Sequence, residues 1–264
     1  MPAPRNYVIL RGGLGNQLHQ IAAGVALSEK NSGVTRIFAH VVDRAQDPTR
    51  RGYFRQVNLS GLFPSANLKE VNFLENVILV VLLKMNLIFL NRLVVNEDNF
   101  ELFSNQKSIA LLRGWFQSPA YLPFGLQPEV LSESEQDYKA GIILHVRLTD
   151  FASIDKNPLT SNYYERAYSL LPDSLKTSDV FCFSDDIPGA SKILKKITKL
   201  QFPEKDQELN PAQLLARLSS ASFLIASRSS LCNWASFAVI KNGGFVVSPF
   251  TEHPFVGNWL SASD

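Results

Sequence analysis

Arg147 follows the apolar run Gly141 to Val146 directly. Its guanidinium keeps its charge at any working pH and presents a planar fork that matches two phosphate oxygens, so a diphosphate is the ligand that suits it. Ser229 and Ser230 open a segment of helical period. The unpaired N–H groups and positive dipole end of such a helix favour the same anion, and plain N-capping accounts for the serines equally well. Ser184-Asp185-Asp186 closes a third apolar run; the carboxylates suit ribose hydroxyls or a cation. Two adjacent carboxylates without further ligands make a poor metal site, so no metal is expected. Asp150 and Asp155, in the loop after Arg147, are candidates for a general base. His145 ends its apolar run and reads as an orienting or packing residue rather than a base.

Gly12-Gly13-Leu14-Gly15-Asn16-Gln17 lies between a strand and a helix, where glycines let a ligand approach the backbone. Gly13 and Gly15 match the first two positions of G-x-G-x-x-G, but the third is Leu18, so this is no dinucleotide fingerprint. Asn16 reads equally as an N-cap.

The elements that must position these groups alternate between strand-length apolar runs and longer helical periods, the pattern of βαβ units and parallel sheets. The first half carries a strand at Asn6 to Arg11, a helix at Asn16 to Lys30 and strands at Thr35 to Ala39 and Ser108 to Leu112, while residues 42–73 read as loops and short helices. In the second half, strands at Gly141 to Val146, Asp179 to Phe183, Thr198 to Phe202, Phe223 to Ala226 and Phe245 to Ser248 alternate with helices. These helices span Ser161 to Leu171, Gly189 to Lys196, Pro211 to Ser219 and Ser229 to Ile240. Three strand ends that turn polar on one predicted edge point to a ligand crevice, because ligands of open α/β sheets bind outside the carboxyl ends of the strands. The prolines between residues 119 and 128 suggest a join near residue 130, giving an α/β domain at 1–130 and a Rossmann-like domain at 131–264.

Twenty-six basic against 24 acidic residues give a formal charge of +2, far from the clustered excess that a nucleic-acid partner requires. Cys182 and Cys232 read as reduced core residues rather than a disulfide framework or metal cluster. The run Val77 to Leu90 is shorter than the roughly 20 residues of a spanning helix and reads as a core helix. The opening residues carry no apolar signal segment, so a cytoplasmic protein is expected. Arg36, Arg44, Arg50, Arg51 and Arg55 form a basic stretch that reads as solvated loop arginines, or as a contact for anionic lipid head groups or the sugar donor.

Five segments resemble, in order, the motifs of the α-1,2-fucosyltransferase family. Gly12 to Gln17 resembles its GGLGNQ opening, Gly114-Trp115-Phe116-Gln117-Ser118 its G-Y/W-x-Q-S segment and His145 to Asp150 its HxRRGD motif. Phe183-Ser184-Asp185-Asp186 matches its FSDD, and Leu218 to Trp234 is similar to LMSxCxHxIIANSSFSWW. The departures are Leu148 for the second motif arginine, Thr149 for its glycine, His19 for a usual Phe and Arg228 for the Asn of ANSS. Threonine at the glycine position is shared with HVRRTD of the α-1,6-fucosyltransferases, which also place a carboxylate where Asp155 falls.

The resemblance implies an α/β fold of GT-B type, two Rossmann-like domains with parallel sheets facing a central cleft. It further implies inverting, metal-independent transfer of L-fucose from GDP-β-L-fucose to a galactose 2-hydroxyl of an oligosaccharide or lipid-linked glycan. Arg147 would contact the diphosphate; Asp185, Asp186, Ser227, Arg228, Ser229 and Ser230 would line the GDP pocket, with Ser184 and His145 beside them. Gly13, Gly15 and Asn16 would face the donor from the other domain. Arg228 would supply the charge that Leu148 lacks. The alternatives are a different nucleotide-sugar donor on the same fold, or a non-catalytic binding homologue. A lipid-linked acceptor would bring peripheral contact with the inner face of the membrane.

Overall fold

The computed structural model describes residues 3–39, 52–85, 93–103, 109–132, 141–149, 159–203, 209–249 and 259–261. The chain divides into two compact units, Met1–Gln127 and Pro128–Asp264. The first holds β1 (Arg5–Ile9), β2 (Val34–Phe38), β3 (Leu68–Glu70), β4 (Val94–Val95) and β5 (Ala110–Leu112) in the order β3-β2-β1-β5-β4. The second holds β6 (Ile142–Val146), β7 (Val180–Ser184), β8 (Leu200–Gln201), β9 (Phe223–Ile225), β10 (Phe245–Ser248) and β11 (Trp259–Ser261) in the order β11-β10-β9-β6-β7-β8. Every pairing is parallel. Counted from β6, the second order is that of a Rossmann sheet, and the parallel α/β reading of the sequence holds in both units.

Strands buried on both faces read as continuous apolar runs, and all five residues of β6 are buried. Behind them the helix Ser230–Lys241 is buried from Leu231 to Ile240, with Trp234 fully enclosed. In the first unit the helix Leu14–Asn31 lies so close to the sheet that a side chain at Gly24 would come 2.3 Å from a Val8 methyl carbon. Its far end is tied down by a buried polar cluster: Asn6 donates to Ser28 Oγ at 2.8 Å, Ser28 and Thr35 share a 2.7 Å bond, and Thr35 Oγ1 donates to the Gly24 carbonyl at 2.9 Å. Each of these buried groups has a partner, which removes the desolvation penalty of an unmatched one.

Two helix starts lie two residues before the expected ones, and capping is the reason. The first helix begins at Leu14 rather than Asn16, because Gly13, in extended conformation at φ −73° and ψ 173°, is its N-cap. Asn16 is therefore inside the first turn and is not a cap. The helix expected from Gly189 runs Ile187–Ile193, since Asp186 accepts from the Gly189 N–H at 3.0 Å and Pro188 fits the first turn. The edge strands β3, β4 and β11 are short additions that periodicity did not announce.

The core-helix expectation for Val77 to Leu90 is corrected. The helix spans Phe73–Met85, and residues 86–90 lie outside the described residues. Leu79 reaches the cluster of Tyr7, Ile9, Phe38 and Leu111, but Phe73 is 84% and Leu74 67% exposed, and Val77, Ile78 and Val81 lie open as well. Because this helix is apolar all round, its sequence carries no periodicity to tell the buried face from the open one. No helix among the described residues is long and apolar enough to cross a membrane.

Candidate active site

The chain runs from β6 outward through β7 to β8, then returns to β9 on the other side of β6 and continues to β10 and β11. The adjacent pair β6 and β9 is thus the switch point of the second sheet, where the loops leaving the two strands diverge and open a crevice. Arg147 follows β6, and Ala226-Ser227-Arg228-Ser229 follows β9.

His145, buried near the end of β6, bridges the two loops. Its Nδ1 lies 2.8 Å from Ser227 Oγ and 3.1 Å from Cys232 Sγ. Burial pushes the imidazole down to about 4, reinforced by the neighbouring Arg147 charge and opposed by Asp185. His145 is therefore neutral at physiological pH, held between Ser227 and Cys232. Cys232, fully buried, is pushed up to about 11 by burial, against hydrogen bonds from Ser227 and the Arg147 charge. It is an inert thiol in a polar cluster, and sequence reasoning missed its place there because an apolar-looking Cys next to Asn233-Trp234 reads as core. Tyr163 supports the crevice from behind, its hydroxyl donating to the Ala226 carbonyl at 2.6 Å.

Arg147 is half-buried, and its charge is felt by both His145 and Cys232. The first turn of the helix that follows β9 is capped by Ser229, whose hydroxyl accepts from the Leu231 N–H at 3.3 Å while its own N–H donates to the Ser227 carbonyl at 2.9 Å. Ser230 is the first helical residue, and Arg228 is half-buried in the same loop.

Asp185 and Asp186 carry structural contacts that their sequence did not reveal. Asp185 accepts from the Leu148 N–H at 2.8 Å, the Thr149 N–H at 3.3 Å and the Thr149 hydroxyl at 2.6 Å, so it holds the backbone immediately after Arg147. Thr149 has a purpose that glycine lacks at that position: its hydroxyl completes this grip. Asp186 caps the next helix, and the Ser184 hydroxyl donates to the Asp186 carbonyl at 3.1 Å. Leu148 packs against the apolar cluster of the unit, and a side chain at Gly189 would come 2.7 Å from its Cδ1. Asp150 and Asp155 lie outside the described residues. No group of three or more His, Cys, Asp or Glu side chains among the described residues is arranged to hold a metal ion.

In the first unit the loops after the adjacent strands β1 and β5 meet in the same way. Gly12 adopts φ 75°, and two buried glutamines fasten the turn: Gln17 donates to the Gly12 carbonyl at 2.9 Å, and Gln20 accepts from the Arg11 N–H at 2.8 Å. Gly13 faces open space, whereas Gly15 is buried. Asn16 accepts from Gln117 Nε2 at 2.8 Å, so the first two motif segments are in direct contact. Glu97 Oε1 accepts from the N–H groups of Trp115 at 2.6 Å and Phe116 at 2.8 Å. Of the basic stretch, Arg55 is paired with Glu70 at 2.7 Å and Arg36 with Glu75 at 3.8 Å. Arg44, Arg50 and Arg51 lie outside the described residues.

No family model matches the chain, and no curated protein matches it in sequence. Among solved structures, that of POFUT1 in complex with GDP superposes with a TM-score of 0.50 at 10% identity, covering 100% of this chain and 98% of that one. The fold is GT-B. The structure of NodZ α-1,6-fucosyltransferase co-crystallized with GDP is similar at TM-score 0.48 and 11% identity, over 90% of this chain and 93% of the other. The E. coli heptosyltransferase WaaC with ADP-2-deoxy-2-fluoro heptose gives 0.48 at 10% identity, over 97% and 92%.

Proposed function

We propose that the chain is an inverting glycosyltransferase that moves L-fucose from GDP-β-L-fucose to a galactose 2-hydroxyl of an oligosaccharide or lipid-linked glycan. The observation that carries this reading is the 2.8 Å bond between His145 and Ser227, which sets Arg147 and the Ser229-capped helix end on the two sides of one switch point. A fixed cation beside a helix N-terminus is the environment a pyrophosphate leaving group needs. The five motif segments that resemble the α-1,2-fucosyltransferases supply the donor sugar, and the structures of POFUT1 and NodZ that share the fold hold GDP.

In the reaction the acceptor oxygen forms a bond to the anomeric carbon on the face opposite the diphosphate, and the bond from that carbon to the β-phosphate oxygen breaks. The electron pair leaves with GDP, whose growing charge is met by Arg147, Arg228 and the N–H groups at the start of the helix Ser230–Lys241. No metal is required where these groups neutralise the diphosphate. The acceptor proton passes to a carboxylate, for which Asp150 and Asp155 are the candidates; such a base contributes typically about 10²–10⁴-fold. The exposed apolar residues of the helix Phe73–Met85 support peripheral contact with a lipid surface when the acceptor is lipid-linked.

A second reading keeps the fold and changes the nucleotide sugar, and it rests on Leu148: its side chain packs on the apolar cluster, so this position supplies no second cation. Transfer of radiolabelled fucose from GDP-fucose to lactose by the purified protein tests the first reading. Stabilisation by UDP or ADP sugars but not by GDP or GDP-fucose, with no fucose transferred, selects the second.

A further inference from the structure

We infer that Trp115 is a stacking platform for the pyranose ring of a neutral saccharide, placing recognition of the sugar acceptor on the rim of the first sheet. The inference rests on the transferase reading and goes beyond it by naming the group that binds the acceptor. Trp115 stands at the carboxyl end of β5, next to the glycine turn after β1, where loops of an open parallel sheet receive ligands.

Trp115 is 41% exposed, and yet its ring is held from two sides. The Arg11 guanidinium lies over the ring at 5.2 Å from the centroid, and Gly12 abuts it so closely that a side chain there would come 3.3 Å from Cζ3, while the backbone N–H of Trp115 donates to Glu97 Oε1 at 2.6 Å. A large aromatic that is both open and immobilised loses little conformational freedom when a ligand covers it. The next residue explains how the loop achieves this. Phe116 has a φ of 51°, a left-handed conformation rare for a bulky side chain, and it is fully buried between Phe100 and Tyr121. This strained step turns Phe116 inward and leaves Trp115 outward, and strain of this kind is kept where the surrounding structure enforces it for a purpose.

Beside the ring, the Asn16–Gln117 amide pair brings donors and acceptors to the same rim. One apolar platform with neighbouring amides matches a pyranose, whose C–H face stacks on the ring while its hydroxyls meet the amides. A guanine base would also stack on tryptophan, and the test separates the two.

Saturation-transfer NMR with lactose, N-acetyllactosamine and methyl β-D-galactopyranoside, without donor, reads the site directly. Wild type is expected to bind at least one of them. Trp115→Ala should lose that binding and Trp115→Phe should weaken it, with GDP affinity and melting temperature unchanged. In the transfer assay Trp115→Ala should raise the acceptor KM about 10-fold, with kcat within a factor of about 3. Undiminished saccharide binding by Trp115→Ala, no binding of any of the three by wild type, or a loss of GDP affinity in Trp115→Ala overturns the inference. Saccharide binding that depends on Trp115 without transfer from any nucleotide sugar leaves the platform standing and removes the transferase reading. Transfer with an unaltered KM in Trp115→Ala does the reverse.

Discussion

His145 Nδ1 lies 2.8 Å from Ser227 Oγ, and this bond ties together the ends of the two strands between which the second sheet changes direction. Removing it takes from the buried Nδ1 the nearer of its two partners and leaves only the weaker thiol contact, a loss of about 1 kcal/mol. Ser227→Ala and His145→Gln should therefore lower the melting temperature and weaken GDP binding together. His145→Asn, which keeps a polar atom near the place of Nδ1, should recover most of both. Thermal unfolding with and without GDP makes the comparison; equal losses for Asn and Gln would show that the bond has no special role.

Arg147→Ala should reduce turnover by roughly 10²–10³-fold with the fold intact, the scale of losing one donor that stabilises transition-state charge. The side chain is half-buried rather than a core residue, so a small change in melting temperature is expected. A near wild-type rate with GDP-fucose and lactose would remove Arg147 from the reaction.

Stability should decline on acidification below about pH 6.5. Burial pushes His19 down to about 3 and His145 to about 4, so in this range the unfolded chain binds protons that the folded one refuses. The sign is fixed: both residues add stability above their unfolded value near 6.5, and it is lost as the pH falls toward their folded values. Each should account for about 2 kcal/mol between pH 7 and pH 5. Urea titrations at the two pH values test this, and His19→Gln should flatten the slope; an unchanged slope would mean that His19 titrates normally in the folded protein.

The glycines of the first helix should behave oppositely. Gly24→Ala places a carbon 2.3 Å from Val8 and should destabilise by about 1–3 kcal/mol. Gly13 faces open space with φ −73°, so Gly13→Ser should leave stability within a few tenths of a kcal/mol and, if a ligand approaches that backbone, lower turnover. Melting temperatures of the two variants, set beside their transfer rates, separate packing from function.

The sequence by itself determined which residues stand at the strand ends, because an apolar run that stops at His145-Val146-Arg147 or at Ile225-Ala226-Ser227 reports local burial, and burial of a parallel strand is written residue by residue. It also carried the parallel α/β class, through the alternation of short runs with helical periods. What only the tertiary structure decided depends on partners distant in the chain. The strand order that makes β6 and β9 neighbours sets His145 against Ser227 and Cys232. Asp185, 36 residues from Thr149, became the anchor of the Arg147 loop, and Asp186 became a helix cap. The helix Phe73–Met85, apolar on every side, could be assigned a buried and an open face only once β1, β2 and β5 were in place beneath it. Local pattern encodes exposure along one element, and contacts between elements arise only from how they pack.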